Sequence, residues 1–119
     1  MKIEQIANGL VKLCKKARFA DAVDTYYSPK IVSLEPAGDE REARGIDAIK
    51  AKGDWWVANH QVHRMDVAGP FIHKNQFVVR FTVDVTFKPS KKRFVLDELA
   101  IYTVRAGKIV HEQFFYHAG

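Results

Sequence analysis

Several features that define common classes of protein are missing from this sequence. It has one cysteine, Cys14, so no disulfide bond can form within the chain, and the residue is expected to be a small buried hydrophobe. No apolar run approaches the roughly 20 residues that a membrane helix needs. The amphipathic N-terminus carries Glu4 and is unlike a secretory signal peptide. These absences favour a cytoplasmic protein without a membrane-spanning segment.

The sequence also lacks the patterns of nucleic-acid binding, metal binding and phosphate binding. The net charge is +5 and the pI about 9.4, but the only dense basic cluster, Lys88–Arg93, contains a proline and is predicted to be a solvated hairpin tip. His60 and His63 have no third ligand at usable spacing. No glycine-rich phosphate loop and no Ser-His-Asp arrangement is present. We therefore expect no nucleic-acid partner, no metal and no cofactor.

What is present is the composition of one globular domain, spanning residues 1–119, with 47% hydrophobic and 28% charged residues. Apolar residues at helical spacing predict a helix over 3–17, a second from Phe19 to Tyr26 and a third over about 46–59. Residues 31–36 are predicted to be a short extended segment, and 37–45 a polar loop. Gly53, inside the third helix, is interpreted as a point of close approach for another backbone or a ligand.

From residue 61 onward the apolar pattern changes to a period of two. It predicts four strands joined by short hairpin connections, over residues 62–72, 77–87, 94–104 and 108–117. Three helices followed by an antiparallel meander predict an α+β domain with the helices on one face of the sheet.

Two glutamates, Glu98 and Glu112, occupy the most hydrophobic hairpin of the chain. A three-residue loop at 105–107 would pair Ala100 with Glu112 and place both glutamates on the same face, with their carboxylates within about 8 Å. A two-residue loop would send them to opposite faces. The alternative is that they face water on an open sheet or pair with arginines.

The apolar pattern of the preceding predicted strand indicates which side chains surround these glutamates. Its apolar row, which includes Phe81 and Val83, should meet the helices. Pairing Phe87 with Phe94 places Glu98 opposite Val83, but it also places Asp84 opposite Asp97, and those like charges count against this register. Burial and a second carboxylate would both raise the pKa of the glutamates, so that the pair would supply an acid and a base.

The order of elements and three stretches of sequence resemble the nuclear-transport-factor-2-like superfamily, and within it the SnoaL-like branch, related to polyketide cyclases and ketosteroid isomerases. The stretches are RGIDAIKAKGDWW, the turn GP-F-I-x-x-x-x-F, and DELAIYTVRAGKIVHEQFFY. The resemblance covers essentially the whole chain. It implies a cone-shaped curved antiparallel sheet wrapped around three N-terminal helices, a ligand cavity inside the cone, and inward positions at Glu98 and Glu112. Ala100 stands where those enzymes would place an acid, so their specific activities are not implied.

The leading hypothesis is a small-molecule pocket protein, an enzyme of cofactor-independent proton transfer of the isomerase, cyclase or hydrolase type. Glu98 would be the general base, and protonated Glu112 or Tyr102 would donate a hydrogen bond to the developing oxyanion. The ligand would be a small apolar or partly polar molecule. The expected ligand-contacting residues are Tyr26, Trp56, His63, Phe81, Val83, Tyr102, Phe114 and Tyr116, and for Tyr26 and Trp56 a core position is the alternative.

Two other functions fit the same sequence. One is a ligand-binding module without turnover, and the other is a dimerisation domain whose pocket is a filled core. The opposite face of the last two strands carries Leu99, Ile101, Gln113 and Phe115. This patch is too apolar to remain in water, so a homodimer through the open sheet face is expected.

Overall fold

The computed structural model describes residues 1–36 and 41–117. The predicted polar loop at 37–45 therefore lies partly outside the described residues, and its described end forms a short strand. Within the described ranges the chain forms three α-helices and six β-strands. No helix in these ranges is long and apolar enough to cross a membrane.

The helices follow the apolar spacing of the sequence. They are α1 (Ile3–Lys15), α2 (Phe19–Tyr26) and α3 (Ile46–Asn59). Helix α1 buries the predicted stripe against the sheet, including Ile6, Leu10 and Cys14. It ends two residues earlier than predicted, because Ala17 has a φ of 56° and is exposed.

The strands form one mixed sheet. They are β1 (Tyr27–Leu34), β2 (Glu42–Arg44), β3 (His60–His73), β4 (Gln76–Phe87), β5 (Lys92–Arg105) and β6 (Lys108–Phe115), in the spatial order β2-β1-β6-β5-β4-β3. The predicted meander is β3–β6. The prediction missed that β1 pairs in parallel with β6 and antiparallel with β2.

The α+β prediction is confirmed, with a curved, unclosed sheet around the helices. The inner face of β4 is fully apolar and buried, from Phe77 to Val85, and α1 packs over β3 and β4 while α3 packs over β1 and β2. This burial of alternate strand residues against helices provides the core. The inner face of β1 and β6 differs, since it contains polar residues among the apolar ones.

The β5–β6 hairpin reaches the predicted face by a different route. Its turn has two residues, Ala106 and Gly107, both with positive φ, and not the predicted three-residue loop. A β-bulge at Val110 adds one residue to β6 between the pairs Val104↔Ile109 and Thr103↔His111. The bulge restores the inward direction of Glu112, which a two-residue turn alone would have reversed.

The predicted register of β4 and β5 is wrong by two residues. Phe87 pairs with Lys92, and Glu98 lies opposite Phe81 rather than Val83. Asp84 and Asp97 therefore do not meet. Each instead accepts two hydrogen bonds from an arginine, Asp84 from Arg93 and Asp97 from Arg80, at 2.7–2.9 Å. The like-charge pair that counted against the predicted register is thus replaced by two ion pairs.

Two glycines have opposite structural roles. Gly69 has a φ of 119° at the irregularity in β3, and a β-carbon there would lie 2.9 Å from the carbonyl oxygen of Val78. Apart from the backbone of its own helix, Gly53 has no atom within 4 Å of the position of a β-carbon, so the predicted close approach of another backbone is wrong.

These environments predict opposite changes in stability. Gly69→Ala should lower the free energy of unfolding by about 1–3 kcal/mol, because alanine is strained at that φ and contacts backbone. Gly53→Ala should raise it by roughly 0.5–1 kcal/mol, because alanine favours the helix and meets open space. Urea unfolding of both variants measures the difference, and equal effects of the same sign would contradict it.

Candidate active site

Glu112 is a buried carboxylate held inside the sheet. It is 4% exposed, and its Oε2 accepts a hydrogen bond of 2.5 Å from the hydroxyl of Tyr27. In the ladder it lies between Ser33 on β1 and Tyr102 on β5. Burial raises the pKa of Glu112. The hydrogen bond from Tyr27, the charge of Lys52 and the hydrogen bond with Ser33 act in the opposite direction and lower it. Glu112 is therefore a desolvated group whose polar partners are supplied by the protein.

The charge of Glu112 affects the other buried groups around it. Burial first, and then Glu112, raise the pKa of Tyr27 and of Tyr102 well above the usual value for tyrosine. The same two causes raise the pKa of Cys14 to about 12. The cysteine is thus a neutral thiol beneath α1, as expected for a buried hydrophobe.

Glu98 occupies a different position on the same inner face. It lies opposite Phe81 on β4, on the segment Lys92–Glu98 of β5, which precedes the first residue paired with β6. Burial first, and then the charge of Glu35, raise the pKa of Glu98 to about 7, with Lys52 lowering it and Glu112 adding to the increase. Glu98 is only partly buried, so this carboxyl has the elevated pKa of a buried group and remains accessible from one side.

The two glutamates lie further apart along the sheet than the predicted pairing of Ala100 with Glu112 would place them. Glu112 is level with Tyr102, four residues along β5 from Glu98, which corresponds to roughly 13 Å at the backbone. Glu35 follows β1 at the intermediate level, beside Phe114, and its charge acts on Glu98 more strongly than that of Glu112. The predicted pairing of Ala100 with Glu112 is therefore wrong, by two residues in the register of β5 with β6.

A polar network that lies between Glu98 and Glu112 along the sheet was not predicted from the sequence. Lys52 on α3 donates a hydrogen bond of 2.9 Å to Ser33 and forms an ion pair with Glu35, and Tyr116 donates a hydrogen bond of 2.7 Å to the other oxygen of Glu35. Lys52 follows Ile49 by three residues and precedes Trp56 by four, so it lies on the apolar stripe of the helix. That position was the available signal for Lys52. Glu35 and Ser33 had none, because the pairing of β1 was not predicted.

The other predicted ligand-contacting residues are divided between the site and the core. Phe81 and Val83 are buried on the inner face, and Phe114 lies under Lys52, whose Nζ is 4.9 Å from the ring centroid. Trp56 packs against the core and stacks on His60, with 4.4 Å between the ring centroids.

Two predicted residues lie away from the carboxylates. The hydroxyl of Tyr26 occupies the space beside Gly9 on α1. His63 is exposed and bonded to Thr86 at 2.7 Å, on the face of β4 opposite to Phe81 and Val83. Both side chains therefore have structural contacts that do not involve Glu98.

Glu98 lines a groove of about 510 Å³ at the end of β6. Glu98 and Tyr116 line the groove. The other lining residues belong to the outer sheet face or follow the C-terminal ends of β1 and β6: Pro36, Arg80, Asp97, Leu99, Phe115 and His117. The groove exists because β5 extends beyond β6 at this edge. Among residues 1–36 and 41–117, no group of histidine, cysteine, aspartate or glutamate side chains is arranged to hold a metal ion.

The elevated pKa of Glu98 predicts a specific dependence of stability on pH. The folded protein binds a proton that the unfolded chain has lost between pH 4.5 and about 7, so the contribution of Glu98 to stability is present below pH 4.5 and is lost as pH rises through 7. Relative to wild type, Glu98→Gln should gain on the order of 2–3 kcal/mol over this interval. Urea unfolding from pH 4 to 8 measures this difference.

Glu4→Gln, at an exposed position on α1, is the matched control and should keep the wild-type pH dependence. A constant difference between Glu98→Gln and wild type across the range would show that Glu98 is not desolvated.

Comparison with known proteins places the chain in a family. The model of the SnoaL-like domain matches residues 1–116. The chain is similar to a protein from Mesorhizobium loti proposed to be a SnoaL-like polyketide cyclase, with 38% identity, a TM-score of 0.94, and coverage of 98% of this chain and 100% of that chain. No curated protein is significantly similar in sequence to this chain.

More distant solved structures share the fold. A nuclear-transport-factor-2-like protein from Burkholderia thailandensis is 19% identical, with a TM-score of 0.80 and coverage of 95% of this chain and 88% of that chain. A protein from Catenulispora acidiphila with a ketosteroid isomerase-like fold, in complex with trimethylamine, is 14% identical, with a TM-score of 0.75 and coverage of 94% and 88%. The fold, the matched domain and the Mesorhizobium relative lead to one conclusion: this chain belongs to the SnoaL-like domain family.

Proposed function

We propose that the protein binds a small apolar or partly polar molecule in the groove at the end of β6, and that Glu98 acts there as a general base. One observation carries the proposal: Glu98 combines a pKa of about 7 with access to an open groove. A general base is most effective when its pKa lies near the working pH, because it is then both ionised and basic enough to take a proton.

The structure supports different roles for the two glutamates of the hairpin. Glu112 is enclosed by Tyr27, Ser33 and Tyr102, and its carboxylate already accepts a hydrogen bond. A group in that position supports the site from behind and does not reach a ligand in the groove. We therefore assign the base to Glu98. We propose that Tyr116, which lines the groove beside it, becomes the hydrogen-bond donor in place of Glu112 or Tyr102 when its hydroxyl turns from Glu35 to the ligand.

The reaction class follows from these groups. A carboxylate base and a phenol donor suit the abstraction of an acidic proton next to a carbonyl group, with the proton moving from carbon to Glu98 and the charge to the carbonyl oxygen. The side chains of Leu99 and Phe115, which line the groove, provide an apolar wall for a ligand of this type. Proton transfer of this kind is complete without a cofactor, which agrees with an isomerase-like or cyclase-like enzyme.

The ligand-binding module without turnover is the second candidate. It uses the same groove and differs in chemistry only. The filled inner face of β4 favours a small ligand at the groove over a large one deep in the cone, whichever of the two functions holds.

The base is tested with small cyclic ketones as probes. Exchange of their α-protons for deuterium, followed by NMR at pH 7, should be accelerated by the wild-type protein. Glu98→Gln should lower this rate by roughly 10²–10⁴-fold while leaving probe affinity within a few-fold, because the amide keeps the shape and removes the basic group. Glu112→Gln should reduce the rate less.

The outcomes separate the proposed functions. Binding of the probes with no exchange in wild type would favour the ligand-binding module. Full activity of Glu98→Gln would refute the assignment of the base, whatever the position of its side chain.

We also propose that the outer face of the sheet forms a homodimer. Val95 is 64% exposed, and Leu99 and Phe115 are each 44% exposed on this face, and large apolar side chains exposed together mark a protein–protein interface. Two ion pairs, Arg80–Asp97 and Arg93–Asp84, lie among these residues on the same face. Leu99 and Phe115 also line the groove, so that a second copy would border the site.

The dimer is tested by light scattering at about 100 μM, where an interface of standard size persists. Wild type should have the mass of two chains, and Leu99→Asp should have the mass of one. Val57→Asp, at an exposed apolar position on α3 away from the outer sheet face, is the matched control and should remain dimeric. A monomeric wild-type protein would refute this proposal and leave the assignment of Glu98 unaffected.

A further inference from the structure

Lys52 is the cation that lies among the carboxylates of the described site. Its Nζ donates to Ser33 Oγ at 2.9 Å, forms an ion pair with Glu35, and lies 4.9 Å from the centroid of the Phe114 ring. An ammonium group has three donor hydrogens, and these contacts engage it on three sides. The positive charge is therefore fixed in position on the inner face, and does not move freely in solvent.

Glu35 connects this cation to the groove. Its second oxygen accepts the hydrogen bond of 2.7 Å from Tyr116, which lines the groove together with Glu98. In the ladder, Glu35 follows Leu34, which pairs with Gln113, so Glu35 lies at the level between Glu112 and Glu98. The pair of Lys52 and Glu35 thus lies at a level between the two glutamates, where partial burial weakens the screening of its charges by solvent.

We propose that Lys52 and Glu35 are positioning residues with opposed effects: the ammonium of Lys52 keeps the carboxylate of Glu98 available as a base at neutral pH, and the negative charge of Glu35 limits that effect. The inference rests on the proposed function of Glu98. Its test needs no substrate, so that its failure and the failure of the proposed function can be distinguished.

The direction of each effect follows from the charges that face Glu98. Glu35 and Glu112 favour its neutral form, whereas Lys52 favours its ionised form. Other groups near it remain the same in every variant below, namely Tyr102, Tyr116, His117 and the ion pair of Arg80 with Asp97. Loss of the positive charge should therefore raise the pKa of Glu98, and loss of the negative charge should lower it.

The experiment is a ¹³C NMR titration of the side-chain carboxyl groups in protein labelled at glutamate, from pH 4 to 9. The signal of Glu98 is identified by its disappearance in Glu98→Gln. In Lys52→Met, the midpoint of the Glu98 titration should move to higher pH by about one pH unit. In Glu35→Gln, which keeps a side chain able to bond Tyr116, it should move to lower pH.

The double variant, Lys52→Met with Glu35→Gln, is the most informative one. Because the two charges act in opposite directions, their joint removal should return the midpoint close to that of wild type, so that the two single changes largely cancel. A role in packing alone would lower stability in both single variants but would not move the midpoint in opposite directions. Lys52→Arg keeps the charge and should keep the midpoint within about half a pH unit of wild type.

Lys50→Met is the matched control for the loss of a lysine from α3. Lys50 pairs with Asp24 at 2.9 Å on the exposed side of the helix, and its loss should leave the titration of Glu98 unchanged. Midpoints of Glu98 that are the same in wild type, Lys52→Met and Glu35→Gln would overturn the proposal. If Lys52→Met fails to fold, Glu35→Gln alone remains decisive, because an unchanged or higher midpoint there contradicts the proposal.

Discussion

The dehydration of carboxylates on the inner face of the sheet is the constraint on which the candidate site depends. A carboxylate that leaves water must find hydrogen bonds and opposite charge, or must take up a proton. In this protein Glu112 has hydrogen bonds with Tyr27 and Ser33, and burial still raises its pKa. Glu98 has fewer partners and a pKa raised to about 7, so it can take up a proton near neutral pH.

The arrangement of the strands determines which glutamate has which environment. Strand β6 ends at Phe115 while β5 continues. Glu98 therefore lies beyond the part of β5 that pairs with β6, whereas Glu112 lies within the paired part of β6. Strand β1 then brings Ser33 and Glu35 against β6, and α3 places Lys52 over them. The strands and the helix that surround Glu112 therefore leave Glu98 at a groove, with the ion pair of Lys52 and Glu35 beside it.

The sequence predicted the helices and strands well and the registers between neighbouring strands poorly. Periodicity located the three helices and the four long strands, because amphipathic faces are local patterns. It also placed both glutamates on the inner face, although the two-residue turn and the bulge at Val110 compensated for each other in a way that no local pattern shows. The registers of β4, β5 and β6 were wrong by two residues, since a shift of two preserves the faces and leaves the hydrophobic pattern unchanged.

The residues that were missed depend on long-range pairing. Glu35 and Ser33 reach the site through the parallel pairing of β1 with β6, which joins segments far apart in the chain. Lys52 could have been noticed as a charged residue on the apolar stripe of α3, but its partners belong to that same unpredicted strand. The like charges of Asp84 and Asp97 did indicate an incorrect register, and the arginine pairs of the structure show the physical reason.

The most direct test of the central claim is a crystal structure of the protein soaked at pH 7 with small cyclic ketones. The account predicts a bound probe in the groove at the end of β6, with its carbonyl oxygen or the adjacent carbon about 2.6–3.5 Å from the carboxylate of Glu98. Probes bound only at other sites, with the carboxylate of Glu98 in contact with protein alone, would contradict it.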